Sequence, residues 1–316
     1  MTSVRTAARR SMLEVSLAVG LLAVGLLAGC GSAEGSDPAT TEGLDIQASF
    51  YPLQWISEQI GGDAVTVGSL TPPGAEPHDL ELSPQDVAAI SDADLVVHLS
   101  DFQAAVDDAI AQEAEDAAFD AAEHTDLDLT YSPIEEGEAA EGGSEDPHFW
   151  LDPMKLADVA DALAERLGGL DPAQEDLFTG NAATLRGELE ALDAELQAGL
   201  ANCANGNLVT SHNAFGYLAD AYGLTQVGIT GLTPEKEPSS ASLAEVATFI
   251  EEHDVTTIYF ETLVSPEIAE TIAAETGAQT AVLDPIEGLT DSSAGSDYLE
   301  IMRANLATLR AGQPCR

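Results

Sequence analysis

Basic residues are the first thing that this sequence has little of. Its 316 residues include 10 lysines and arginines against 56 aspartates and glutamates, which gives a formal net charge of −46. A surface of this charge repels phosphate groups, so we expect no nucleic-acid partner and no attraction to anionic membrane surfaces. The short metal motifs HExxH and CxxC are absent as well. A site in this chain must therefore combine residues that are distant in the sequence.

Cysteine is also scarce, and each of the three cysteines has an interpretation. Residues 1–30 place arginines before the apolar run VSLAVGLLAVGLLAG and end at Cys30. This pattern is typical of a signal peptide, and LLAGC resembles the bacterial lipobox, whose cysteine is lipidated and becomes the mature N-terminus. An arginine pair leaves general and twin-arginine export both open. We expect Cys203 and Cys315 to form a disulfide, because the protein is exported.

Short apolar runs alternate with helical patterns along the rest of the chain. This alternation predicts an α/β fold with two (β/α) lobes whose sheets are mostly parallel. Leucines then recur at helical spacing for about 30 residues, which predicts one linker helix of about 45 Å between the lobes. The predicted limits are a flexible tether at 31–43, an N-terminal lobe at 44–170 with an acidic loop at 131–147, a linker helix at 171–202 and a C-terminal lobe at 203–316.

Four polar residues follow predicted strands or stand in rigid proline turns. His78 lies in AEPHDLELSP, His148 in EDPHFWLDP and His212 in VTSHNAFGY, and Asp284 ends a strand in AVLDPIEGL. Ligands collect at the carboxyl ends of parallel strands, and three neutral imidazoles with one carboxylate suit tetrahedral zinc. The residues alone leave open whether each histidine is a ligand or an ordinary packed or exposed side chain.

Several neighbouring residues are candidates for supporting this site. Glu76 stands two residues before the first histidine, Asp152 follows the second, and Glu261 ends the strand VTTIYFE. Each would either orient a ligand imidazole or be an ordinary polar residue. Trp150 would either orient the neighbouring histidine or pack in the core. The glutamate-rich loop 131–147 would either hold cations loosely or simply be solvated.

Four of these motifs, taken together, resemble a known family. PHDLELSP, DPHFWLDP, SHNAFGY and VLDPIEG, in this order and with a long helix between the second and the third, are similar to motifs of the solute-binding lipoproteins of bacterial zinc/manganese ABC importers. The resemblance covers the mature chain and implies that two lobes clamp one metal ion. By position it implies His78, His148, His212 and Asp284 as the ligands. Manganese-specific relatives tend to carry glutamate at position 212, so it implies Zn²⁺ as the cargo and Mn²⁺ as the alternative.

The resemblance also implies where the protein works and with which partner. It implies an extracytoplasmic monomer, held on the outer face of the cell membrane by its lipid anchor only, that delivers metal to an ABC importer permease. We expect no catalytic residues and no enzymatic activity. Two other functions are less favoured: a zinc hydrolase, which would need an open coordination position and a general base, and a metal-dependent adhesin.

Overall fold

Eight strands and nine helices lie within residues 43–131 and 144–315, the part of the chain that the structure, a computed structural model, describes. The predicted signal peptide with Cys30, the tether up to residue 42 and residues 132–143 of the acidic loop lie outside the described residues. The strands are β1 (Leu44–Ala48), β2 (Val65–Ser69), β3 (Leu95–His98), β4 (Ala118–Asp120), β5 (Asn207–Thr210), β6 (Thr225–Gly228), β7 (Thr257–Phe260) and β8 (Gln279–Val282). The helices are α1 (Tyr51–Gly61), α2 (Pro84–Asp92), α3 (Ala104–Glu113), α4 (Pro153–Leu170), α5 (Glu175–Leu200), α6 (Gly216–Tyr222), α7 (Ser240–Glu252), α8 (Glu267–Thr276) and α9 (Tyr298–Gly312).

The strands form two four-stranded sheets with the same order. The first sheet has the order β2-β1-β3-β4 and the second the order β6-β5-β7-β8. Every neighbouring pair in both sheets is parallel. The loops that follow the strands of a parallel sheet gather at one edge, where ligands bind. The prediction of two parallel (β/α) lobes is confirmed.

Local sequence explains where several helices begin and end. Ser83 starts α2 with a capping box, since its hydroxyl accepts a hydrogen bond from the Asp86 amide and the Asp86 carboxylate accepts one from the Ser83 amide. Pro52 stands in the first turn of α1, where its missing N–H costs nothing, and Gly62 follows the helix with a φ of 52°. The side chain of Asp152 caps α4.

The long helix α5 joins the two lobes through packing as well as through the chain. Its 26 residues correspond to a length of about 39 Å. It packs against α1 and α4 on the N-terminal side and against α6 and α9 on the C-terminal side. An added methyl at Gly180 or Gly187 would meet no atom within 4 Å, so both glycines lie where the helix needs no close contact. The residues of its buried stripe are Phe178, Ala182, Leu185, Leu189, Leu192, Leu196 and Leu200.

One hydrophobic core runs through both lobes. It includes Ile46 of the first sheet, Leu192 of α5 and Tyr298 of α9, which are all fully buried. Two smaller clusters lie away from it, one in each lobe. Because a continuous close-packed core resists sliding, we expect loop motions and modest lobe movements rather than a wide hinge.

Cys203 and Cys315 form a disulfide across 112 residues of sequence, as predicted. The bond holds the C-terminal tail beside the start of the second lobe. Next to it, the Gln313 side chain donates a hydrogen bond to the Asn207 carbonyl at 2.9 Å, and the Ala204 amide donates to the Gln313 carbonyl at 3.1 Å. None of the helices within the described residues combines the length and the hydropathy that a membrane span requires.

Candidate metal centre

Three histidines and one glutamate meet between the lobes. One ligand atom from each of His78, His148, His212 and Glu287 can be chosen so that all four lie within 4.8 Å of one another. His78 follows β2, and His148 lies just before α4, so both come from the N-terminal lobe. His212 follows β5 and Glu287 follows β8, so the C-terminal lobe supplies the other two. The site thus forms only when the two sheets face each other.

Glu287 lies at the centre of this group. Its Oε1 atom is 3.2 Å from His148 Nε2, 3.4 Å from His212 Nε2 and 3.5 Å from His78 Nε2. The Glu287 side chain is fully buried, yet neither of its oxygens has a partner of good hydrogen-bond geometry among the described residues, and neither does His78 Nε2. These atoms lie close together without forming hydrogen bonds of good geometry. Buried polar atoms are normally paired, so this arrangement fits a cation at that centre.

The electrostatics of the group follow from the buried carboxylate. Burial raises the pKa of Glu287, but the three imidazoles outweigh it, His78 first, and hold that pKa well below its usual value. Burial lowers the pKa of His148 and of His212, but nearby carboxylates outweigh it and raise both, His212 more strongly. The raised pKa values of His148 and His212 favour protons on these two imidazoles beside the buried carboxylate when no metal is bound. A divalent cation would displace them and supply the same positive charge.

Two acidic residues orient the ring nitrogens of the buried histidines. Asp146 Oδ1 lies 2.7 Å from His148 Nδ1, and Glu261 Oε1 lies 2.6 Å from His212 Nδ1. Both acids are 2% exposed. When a carboxylate accepts from Nδ1–H, the lone pair of the imidazole is on Nε2, the atom that faces the centre. Each lobe therefore presents a histidine that its own carboxylate has already oriented for metal binding.

Comparison with known proteins assigns the chain to one family. The sequence model described as "ZnuA: Zinc-uptake complex component A periplasmic" matches residues 46–312. The chain belongs to that family. Membership confirms the resemblance that the motifs indicated. It also confirms that this is a binding component of an uptake system and not an enzyme.

Individual relatives agree with the assignment. The high-affinity zinc uptake system protein ZnuA of Bacillus subtilis is 36% identical over 296 residues, which are 90% of this chain and 93% of that protein. The structure of the laminin-binding protein Lmb of Streptococcus agalactiae, described as an adhesin with metal-transporting activity, is 36% identical, with 86% and 100% of the two chains covered and a TM-score of 0.77. The Zn(II)-bound ZnuA-like domain of Streptococcus pneumoniae AdcA is 34% identical, with 86% and 99% covered and a TM-score of 0.72. Full-length AdcA is longer, and the match spans 61% of its length.

The structure places Asp284, the fourth ligand expected from the family motif, outside the converging group. Glu287, three residues later, takes its place. The Asp284 carboxylate is engaged elsewhere: Oδ1 accepts a hydrogen bond from the Ile286 amide at 2.8 Å, and Oδ2 accepts one from the Ser293 hydroxyl at 3.1 Å. The chain turns between the two acids, and the longer glutamate side chain reaches the histidines.

The other supporting candidates take different positions. Asp152 accepts a hydrogen bond from the Met154 amide at 2.8 Å and so caps α4. Among the described residues, its carboxylate forms no hydrogen bond with His148. Glu261 contacts His212, as described above. Glu76 borders the centre with its Oε1 atom 3.9 Å from His78 Nε2. Burial first, and then the charge of Glu287, raises the pKa of Glu76 to about 9.

Aromatic rings wall the site on the N-terminal side. The Phe102 ring lies 4.6 Å from the His78 ring, and the fully buried Trp150 lies 5.1 Å from the His148 ring, between centroids. Trp150 thus combines the two roles considered for it, core packing and contact with the ligand. A cavity of about 380 Å³ is lined by His78, by Phe102 and Asp101 of the N-terminal lobe and by Lys236 of the C-terminal lobe.

Sequence reasoning missed Asp146 and Glu287. Asp146 stands in the same EDPH stretch as His148, two residues before it, and an acid at that spacing next to a proline turn was an available signal. Glu287 lies in the quoted motif VLDPIEG, but nothing in the motif itself distinguishes its second acid from its first. That choice depends on the conformation of the turn.

Proposed function

We propose that this protein captures extracytoplasmic Zn²⁺ between its two lobes and delivers it to the permease of an ABC importer. The observation that carries the proposal is the buried convergence of His78, His148, His212 and Glu287. Among the described residues, neither Glu287 oxygen nor His78 Nε2 has a hydrogen-bond partner of good geometry. Family membership and a zinc-bound relative support it. The ion is the cargo of the protein and would have four protein ligands.

The donor set favours zinc over manganese. Three imidazole nitrogens and one carboxylate suit the borderline-soft Zn²⁺ ion, which is content with four ligands. Mn²⁺ prefers carboxylate and carbonyl oxygens and higher coordination numbers. Four protein ligands and buried walls also leave little room for the metal-bound water of a zinc hydrolase.

We further propose that the chain works as a monomer on the outer face of the cell membrane. In this proposal residues 1–30 direct export, lipidated Cys30 is the anchor, and residues 31–43 are a flexible tether. The lobe limits proposed from the sequence, 44–170 and 203–316 with the linker at 171–202, are compatible with α5 at Glu175–Leu200. An acidic surface would disfavour direct adsorption to anionic lipid, so attachment depends on the lipid group.

Metal titration of the metal-free protein tests the proposed cargo. We expect one Zn²⁺ per chain by calorimetry and elemental analysis, and weaker binding of Mn²⁺ in direct competition. His148→Ala should lose tight zinc binding, because one of four ligands is removed. His253→Ala is the matched control, since His253 is exposed and lies at the end of α7. Equal affinity for both metals would contradict the zinc preference, and unchanged zinc binding in His148→Ala would contradict the site.

Delivery requires a test in cells. Zinc-limited cells that lack their own zinc-binding lipoprotein should grow when supplied with the full chain and a matching permease. His148→Ala and Cys30→Ala should both fail to restore growth, the first because zinc is not captured and the second because the carrier is not anchored. Restored growth with His148→Ala would contradict a role of this site in uptake.

A further inference from the structure

The turn that carries Glu287 has an unusual backbone. Ile286, directly before Glu287, has a φ of 60° and is fully buried. A β-branched residue rarely adopts this left-handed conformation, and positions of this kind cost on the order of 1–3 kcal/mol. The conformation must therefore be held by contacts that outweigh its cost. Those contacts determine where the Glu287 carboxylate lies.

Asp284 supplies the contacts on one side of the turn. Its Oδ1 atom accepts from the Ile286 amide at 2.8 Å, which closes the turn, and its Oδ2 atom accepts from the Ser293 hydroxyl at 3.1 Å. Its backbone is fastened to α9 by a reciprocal pair, because the Asp284 amide donates to Asn305 Oδ1 at 3.0 Å and Asn305 Nδ2 donates to the Asp284 carbonyl at 2.7 Å. Asp284 and Asn305 are each 3% exposed, so water competes little for these bonds.

The same turn is tied to the segment that carries His148. The indole N–H of Trp150 donates to the Pro285 carbonyl at 2.8 Å. The Tyr298 hydroxyl, at the start of α9, donates to the Trp150 carbonyl at 2.6 Å. The strained turn is thus held from both lobes, and the position of Glu287 is linked to that of an N-terminal ligand.

We propose that Asp284 is the positioning residue for Glu287 and controls metal affinity through it, without contact to the metal. The inference rests on the function proposed above. Without the Asp284 carboxylate, Ile286 would relax toward ordinary backbone angles and Glu287 would move away from the three histidines. We expect Asp284→Ala to weaken zinc binding by about 10–100-fold, the range found when partners of metal ligands are removed.

Co²⁺ in place of zinc provides a spectroscopic test. Visible absorption of bound Co²⁺ depends on ligand number and geometry, so Asp284→Ala should shift the spectrum toward that of Glu287→Ala. Asp284→Asn keeps an oxygen that can accept from the Ile286 amide, so it should restore most of the wild-type spectrum and affinity. Asp291→Ala is the matched control, because Asp291 is an exposed acid of the same loop. A wild-type Co²⁺ spectrum and zinc affinity in folded Asp284→Ala would overturn the proposal.

A double-mutant cycle distinguishes positioning of Glu287 by Asp284 from an independent effect of Asp284 on zinc affinity. If Asp284 acts through Glu287, Asp284→Ala should cost little further affinity in a Glu287→Ala background. Losses that add in full would overturn the proposal. If Asp284→Ala does not fold, Ser293→Ala can replace it, because it removes only one contact of Asp284. Ser293→Ala should give the same change in the Co²⁺ spectrum to a smaller extent. An unchanged spectrum in Ser293→Ala would also overturn the proposal. Failure of the proposed function is separate, since it would appear as weak zinc binding in the wild-type protein.

Discussion

The two lobes share one sheet order but hold the proposed metal ligands in different ways. In the N-terminal lobe, His78 and His148 each follow a proline, whose ring restricts the backbone next to the ligand. In the C-terminal lobe, Glu287 follows the left-handed Ile286, whose conformation depends on hydrogen bonds from elsewhere. The N-terminal histidines therefore have a local covalent restraint in addition to tertiary contacts such as that of Asp146 with His148. The proposed carboxylate ligand depends mainly on tertiary contacts, so we expect substitutions to displace it most easily.

The lobes are more alike in how they orient imidazoles. Asp146 holds His148 and Glu261 holds His212, at nearly equal Nδ1-to-oxygen distances of 2.7 and 2.6 Å. Their hydrophobic interiors are also continuous through α5. The two lobes therefore share a hydrophobic core and a histidine oriented by a carboxylate. They differ in how the backbone beside the proposed ligand is held.

The largest effect on stability is expected from a substitution in the hydrophobic core that the two lobes share. Leu192→Ala removes a fully buried side chain of α5 and should lower the free energy of unfolding by about 2–5 kcal/mol. Denaturant titration of the metal-free protein gives this value. Hydrogen exchange should show β1 and β5 losing protection together, because both lobes pack on the same helix.

Leu177→Ala is the control, because Leu177 is on the same helix but 39% exposed, and it should change stability by no more than about 0.5 kcal/mol. Loss of protection in only one lobe of Leu192→Ala would show that the halves are stabilised independently.

An intermediate effect is expected from the carboxylates behind the two histidines. Asp146→Asn and Glu261→Gln keep the side-chain shape but remove the charge that favours Nδ1–H, so each should weaken zinc binding by about 10–100-fold. Calorimetry with Zn²⁺ measures both losses. Asp107→Asn is a matched control. Asp107 Oδ1 lies 3.3 Å from His98 Nδ1, and neither residue belongs to the candidate metal centre. A loss in only one of the two variants would break the proposed equivalence of the lobes.

The smallest effect concerns the order in which the histidines lose protons. In the metal-free protein, burial opposes the proton on both, but Asp146 and Glu287 raise the pKa of His148, and Glu261 and Glu287 raise that of His212 further above its usual value. Nitrogen chemical shifts should therefore show His212 losing its proton at a higher pH than His148. Titration midpoints that coincide would show that His148 and His212 experience equivalent electrostatic environments.

The sign of the pH dependence follows from the same shifts. A pKa that is raised on folding stabilises the folded state at pH values below the unfolded pKa of about 6.5, and this contribution is lost as the pH rises through the folded pKa. Zinc competes with the same protons, so its affinity should decrease as the pH falls, starting above 6.5. Calorimetry in buffers of different ionisation enthalpy should detect proton release on binding.

Most of the fold and three of the four residues of the candidate metal centre could be predicted from the sequence. The alternation of apolar runs predicted the strands, and leucine spacing predicted α5, because both patterns depend on local periodicity. His78, His148 and His212 could be found because each stands in a motif at a strand end or proline turn. The two roles considered for Asp152 did not include the helix N-cap that it forms, although an acid directly before a proline and an amphipathic run is a typical N-cap.

The choice between Asp284 and Glu287 was a different kind of problem. Both acids are in VLDPIEG, and both can bind metal chemically. Their roles depend on Asn305 and Ser293, which hold Asp284, and on the positive φ of Ile286, which directs Glu287 inward. No local pattern specifies these contacts, because the partners are contributed by other elements after the chain has folded.

The sequence by itself determined the class of fold and pointed to the three imidazoles, because periodicity and short motifs are properties of neighbouring residues. The export signal at residues 1–30 stays a prediction from the same kind of local pattern. The disulfide between Cys203 and Cys315 was also predictable from the sequence, because only two cysteines follow Cys30. Tertiary structure alone decided which carboxylate completes the group and which acids orient the histidines. These choices depend on distances between residues brought together by two separate sheets, and such distances exist only in the folded protein.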